Sequence, residues 1–129
     1  MNKIIVEVSI GELLDKISIL EIKQEKIKDS DKLKFISNEH SILKSQLDKN
    51  VNSDNKISVL FKSLKEINAK LWVIEDDKRQ CEKDKDFGEK FIKLSRDIHF
   101  LNDERAKIKL NINEHTGSKI KEIKEYTSY

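Results

Sequence analysis

The chain predicts an all-α fold, a helical bundle built on a long antiparallel, coiled-coil-like helical hairpin with a short extended segment at its N-terminus. Three observations carry that expectation. There is no proline among 129 residues and there are only three glycines, so nothing inside the long periodic stretches breaks a helix. Apolar residues recur at alternating steps of three and four, the spacing that gathers side chains on one helical face. The charged fraction is 39%, with both signs interleaved as on solvated helix faces.

The elements follow in order within a single domain, residues 1–129. The arm 1–8 holds Ile4 to Val8, β-branched and extended in character. It is too short to be stable alone and needs a later segment or a second subunit to pair with. Ser9 and Glu12 form an S-x-x-E capping box that starts the first front helix, 10–28. Its apolar set, Ile10, Leu13, Leu14, Ile17, Leu20 and Ile27, is widened by Ile19 and Ile22, so it is buried on more than one side. Asp29-Ser30-Asp31 is a turn with caps for the second front helix, 32–49, striped by Leu33, Ile36, His40, Leu43 and Leu47. His40 reads as a hydrogen-bonded boundary histidine, because no second histidine follows at helical spacing. Asn50 to Asn55 is a polar loop.

The hairpin spans 56–83 and 87–115, turning at Lys83-Asp84-Lys85-Asp86. Its first arm carries Ile57, Leu60, Leu64, Ile67, Leu71, Ile74 and Cys81, interrupted by Lys78. A second face of this arm, with Val59, Trp72, Val73, Asp76 and Arg79, is expected to receive the first front helix. The second arm carries Phe87, Phe91, Leu94, Ile98, Leu101, Ile108 and Ile112, and Arg105 stands where an apolar residue belongs. Gly117 reads as a left-handed helix stop. The tail 119–129 has Ile120, Ile123, Tyr126 and Tyr129 at steps of three, as a short helix or an arm that packs back.

Composition narrows the function classes. The net charge is +2 and no basic run is free of acids, so no nucleic-acid partner is expected. No stretch approaches the roughly 20 apolar residues of a membrane span, and the N-terminal apolar run is too short for a signal peptide. A cytoplasmic protein is expected. The single Cys81 makes neither an intrachain disulfide nor a zinc site and reads as a core residue. Glu75, Asp76 and Glu82 are too sparse for the magnesium site of a helical pyrophosphohydrolase, so no metal and no cofactor is expected. Long helices in a small chain leave apolar surface uncovered, which a homodimer would cover.

The polar residues beside the hairpin seam are the candidate site. Asn68 and Glu75 flank it on the first arm; Ser95, Asn102 and Lys109 flank it on the second. A turn centred near Lys85 sets Asn68 opposite Asn102 and brings Arg105 near Ile67 and Asn68. An unpaired buried guanidinium costs several kcal/mol, so Arg105 must meet a carboxylate or carbonyls, or reach water; the candidate carboxylates are Glu66 and Glu75 on the facing arm and Asp15 and Glu21 on the first front helix. Three roles stay open for it. It is a register-fixing ion pair, in which case Arg105→Met folds as well or better. Or Arg105, Lys109 and Asn102 hold an anionic ligand while Glu75 or Asp76 handles a proton or a metal. Or the polar line meets a protein partner.

The run from Val6 to Lys23, with Leu71-Trp72-Val73-Ile74-Glu75-Asp76, Asn102-Asp103-Glu104-Arg105-Ala106-Lys107-Ile108-Lys109 and Gly117-Ser118, resembles a family of short bacterial and phage proteins. That family is a domain of unknown function, often encoded near glycosyltransferase and lipopolysaccharide-assembly genes. Ser18 stands where its motif usually has Thr. The resemblance spans essentially the whole chain and implies an accessory role, with a protein partner, in cell-surface polysaccharide synthesis, and no reaction. Its matched positions, Asp15, Lys16, Glu21, Lys23, Trp72, Glu75, Asp76, Asn102, Asp103 and Arg105, overlap the polar line. The expected function is therefore a non-enzymatic helical interaction or scaffold protein. The alternative is a small helical enzyme or sensor that binds a phosphorylated sugar or nucleotide around Arg105 and Glu75.

Overall fold

The computed structural model describes residues 2–129 and contains four helices: α1 (Ile10–Lys26), α2 (Ser30–Asn50), α3 (Asn55–Asp84) and α4 (Glu89–Thr116). No strand occurs among the described residues. Met1 of the expected 1–8 arm lies outside them. Residues 2–8 have no regular structure, and Ile4 and Ile5 are 90% exposed, so the pairing partner expected for this arm is not supplied by the chain.

Local chemistry sets the helix ends. The Ser9 hydroxyl accepts the Glu12 N–H at 3.0 Å, which starts α1 at Ile10. Only that half of the expected capping box forms, because the Glu12 carboxylate reaches across to Lys109 instead. Asp29 accepts the Lys32 N–H at 3.0 Å, so α2 begins at Ser30, earlier than the expected residue 32. One carboxylate oxygen of Asp54 caps α3 through the Ile57 N–H at 2.8 Å, and the other meets His115 Nε2 at 2.7 Å. At the far end Lys85 takes a left-handed φ of 54°, and the Asp86 N–H donates to the Cys81 carbonyl to close the last turn. Gly117, at φ 67°, ends α4 in the same way.

α3 and α4, joined by residues 85–88, pack on each other, while α1 packs against all three other helices and α2 against α1 alone. This makes α1 the element on which the core is assembled. Its Leu14, Ile17, Leu20 and Ile22 are buried, and Leu14 clusters with Ile57, Leu64 and Ile112. The stripe Leu33, Ile36, His40, Leu43 and Leu47 of α2 is half-buried, whereas Phe35 (80% exposed) and Ile42 point outward and no α2 residue is fully buried. His40 lies 3.2 Å from Glu21 of α1.

The interruption of the first arm's seam resolves locally, since the Lys78 ammonium lies over the Phe91 ring, and Cys81 of that seam is buried. Of the face expected to receive α1, Val59 and Val73 are exposed, whereas Trp72, Asp76 and Arg79 line a groove with Ile19 and Ile22 of α1. α1 docks nearer the seam because its polar side chains Asp15 and Ser18 meet Asn68 there. The tail forms no helix; it folds back so that the Tyr129 ring packs on His99 and Phe100 and its hydroxyl bonds Asp103.

α1 and α4 approach closely at Gly11. Its N–H donates to Asn113 Oδ1 at 2.7 Å, and a Cβ there would stand 2.6 Å from the Lys109 carbonyl oxygen, a backbone atom that cannot swing aside. Gly11→Ala should therefore cost about 1–3 kcal/mol, a drop of roughly 3–10 °C in Tm. Gly88→Ala, whose Cβ would meet nothing closer than Asp86 Oδ1 at 3.4 Å, should cost no more than about 1 kcal/mol. Equal losses in a thermal melt would contradict this account of the α1–α4 contact.

Candidate functional site: a buried ion-pair network and the groove beside it

Asp15 projects from α1 toward both long helices and is the only fully buried carboxylate among the described residues. Its Oδ1 accepts from Asn68 Nδ2 at 2.8 Å and from Arg105 Nε at 2.9 Å, and its Oδ2 accepts from Arg105 Nη2 at 2.5 Å. The pair is thus bidentate, the geometry a planar guanidinium provides and an ammonium does not. The second N–H of Asn68 Nδ2 goes to Ser18 Oγ at 2.8 Å, and the Ser18 hydroxyl donates to the Asp15 carbonyl at 2.8 Å. Lys109, one turn beyond Arg105, donates to Glu12 at 2.7 Å and to Glu122 of the tail at 3.0 Å, with Asp15 Oδ2 3.8 Å away. No buried side-chain nitrogen or oxygen among the described residues lacks a partner.

The electrostatics follow from these contacts. Burial by itself would raise the Asp15 carboxyl. Hydrogen bonds from Arg105 and Asn68, with the positive charges of Arg105 and Lys109, outweigh it and hold the group below its ordinary 3.8. Burial would likewise lower Lys109, but its bonds to Glu12 and Glu122 and the Asp15 charge keep it above 10.5. The bond to Asp15 raises Arg105 in turn, against its own burial. All three stay charged across the neutral range.

Beside this network lies an open groove of about 360 Å³ between α1, α3 and α4. Ile19, Ile22 and Leu71 supply apolar wall; Trp72, Glu75, Asp76 and Arg79 come from α3, and Asn102 and Arg105 from α4, with Asn68 between. The structure therefore brings together Trp72, Glu75, Asp76, Asn102 and Arg105 of the sequence candidates, and puts Asp15 directly behind Arg105. The others lie elsewhere. Lys109 does not line the groove, being turned to Glu12 and Glu122, so the expected anion clamp of Arg105, Lys109 and Asn102 does not form as a unit. Glu21 pairs with His40 and with Lys65 at 3.3 Å. Lys16 is exposed on α1, and Asp103 lines a separate cavity with the tail. Glu66 is exposed and Glu75 does not bond Arg105, which leaves Asp15 as its partner.

Glu12, Ser18, Asn113, Gly11 and Glu122 also take part, and sequence reading did not single them out as site residues. Gly11, Ser18 and Asn113 signal themselves only by smallness or polarity on an otherwise apolar helix face, Glu12 by its capping-box spacing, and Glu122 of the tail not at all. No group of three or more His, Cys, Asp or Glu side chains among the described residues is arranged to hold a metal ion. Among the described residues no helix is long and apolar enough to cross a membrane.

Together these features define an all-helical protein with a charged network whose buried atoms are all hydrogen-bonded and a mixed-charge groove beside it. The chain belongs to a family of unknown function (DUF6165), which it matches over residues 4–129. No curated protein and no solved structure matches it.

The partner found for Arg105 reverses one expectation. Arg105→Met would strand a buried carboxylate, so it should destabilise the fold instead of leaving it unchanged. Asp15→Asn leaves Arg105 without its counter-charge and should cost about 3–5 kcal/mol at pH 7. Because Asp15 is depressed in the folded state, its contribution is present above pH 3.8 and is lost as pH falls through its folded value. Urea unfolding of wild type and Asp15→Asn should therefore converge only below about pH 4. A difference that stays constant between pH 5 and 2 would contradict the assignment.

Proposed function

We propose that this protein is a non-enzymatic helical interaction or scaffold module, accessory to bacterial cell-surface polysaccharide synthesis. One observation carries the non-enzymatic part: the most buried polar side chains saturate one another. A general acid or base needs a proton within reach of substrate and a pKa near the working pH. Asp15 and Lys109, held ionised in opposite directions, offer neither. The link to surface polysaccharide is supported by the resemblance of the Val6–Lys23, Trp72 and Arg105 segments alone. The interaction part is supported by the outward face of α2, where Phe35 and Ile42 stand two turns apart.

In this reading residues 1–129 act as one domain, and α3 and α4 form an antiparallel, coiled-coil-like hairpin. The pairing of Asp54 with His115 near the start of α3 and of Lys78 with Phe91 toward its end supports that course. A cytoplasmic homodimer through the α2 faces completes it. The groove favours a second reading, a small ligand-binding enzyme or sensor, for which the sequence suggests a phosphorylated sugar or nucleotide around Arg105 and Glu75.

Light scattering at micromolar concentration should give a dimer, and Phe35→Glu with Ile42→Glu should give a helical monomer; a monomeric wild type would remove the dimer. Nucleotide sugars and phosphosugars incubated with the protein, with and without magnesium, should be recovered intact. Turnover of any of them would overturn the non-enzymatic reading.

A further inference from the structure

We infer that the groove between α1, α3 and α4 is a binding site for a small zwitterion with an apolar side chain, an amino-acid-like ligand. The inference rests on the second reading above, that a small molecule occupies this groove, and it changes the ligand class. The charges on the lining decide it. Glu75, Asp76 and Arg79 line the groove, and among the described residues none of them has an ion-pair or side-chain hydrogen-bond partner. Arg105 is already neutralised from behind by Asp15, yet it is not exhausted. Asp15 takes Nε and one hydrogen of Nη2, while Nη1 reaches Asn102 only at 3.5 Å, so N–H groups remain for a carboxylate.

Two carboxylates and two guanidiniums, one of the latter compensated by Asp15, give a lining with no excess positive charge. Such a surface opposes a polyphosphate and suits a molecule that carries one charge of each sign. The guanidinium edges of Arg79 and Arg105 match a carboxylate, and Glu75 and Asp76 match an ammonium. The buried Ile22 and Leu71 and the half-buried Ile19 and Trp72 offer apolar surface for a side chain. About 360 Å³ lies in the range of pockets that take small ligands.

Trp72 is the single tryptophan of the chain, so indole fluorescence excited at the red edge of its band reports on this groove alone. Leucine and phenylalanine titrated into the full chain should change Trp72 emission saturably. N-acetyl-leucine, which lacks the ammonium, and leucinamide, which lacks the carboxylate, should each bind about tenfold or more weakly. Asp76→Asn and Arg79→Met, both exposed, should weaken leucine similarly while thermal melts stay close to wild type. Equal binding of the blocked and free forms would overturn the zwitterion. A response to a nucleotide sugar or a nucleoside triphosphate without one to leucine or phenylalanine would keep the groove as a ligand site and reject this ligand class. No response to any of them would reject both readings together.

Discussion

The bidentate contact between Asp15 and Arg105 is the interaction on which the rest of the structure depends. It joins a front helix to the last long helix across 90 positions of sequence, with the Asp15 carboxylate buried and Arg105 half-buried at the groove wall. Each charge is expensive to bury alone, and each is tolerable only in the geometry the other imposes. The contact therefore specifies one docking of α1 on α3 and α4 and penalises its neighbours. Apolar packing is less selective, because leucines and isoleucines at helical spacing accept a shift of one turn with modest loss.

The same contact shapes the groove. With Asp15 behind it, Arg105 is fixed at the groove wall instead of swinging into solvent, and its remaining donors keep a constant direction. Asn68 and Ser18 satisfy the other lone pairs of the network, so rigidity does not leave an unpaired buried group. Lys109 continues the line toward the tail, tying Glu122 to the helical body. A chain that is 39% charged thus uses a few of its charges inside and the rest on its surface.

Much of this was legible from residue order. The interrupted apolar seam marked Arg105 as a group needing a polar partner or water, and the hairpin register set Asn68 opposite Asn102 with Arg105 near Asn68. Ser9, Asp29 and Gly117 announced helix ends because capping depends on neighbours three or four residues away. What could not be read depends on contacts distant in sequence. Four acids competed for Arg105, and only the docking of α1 chooses Asp15. Glu12 sits where a capping box would use it, yet a buried lysine from α4 offers a stronger, charged partner than the Ser9 N–H. Gly11 gave no sign of its role, since a close approach of two backbones leaves no periodic trace. Val59 and Val73 resembled a docking face because β-branched apolar residues look alike whether covered or bare.

The most direct test of this dependence is a double-mutant cycle on Asp15→Leu and Arg105→Met, measured by urea unfolding at neutral pH. The account predicts that each single change destabilises the protein by about 3–5 kcal/mol, and that the double variant recovers a coupling energy of about 2–3 kcal/mol toward wild type. Losses that simply add, within about 0.5 kcal/mol, would show that the two side chains stabilise the fold independently and that the docking of α1 rests on its apolar face instead.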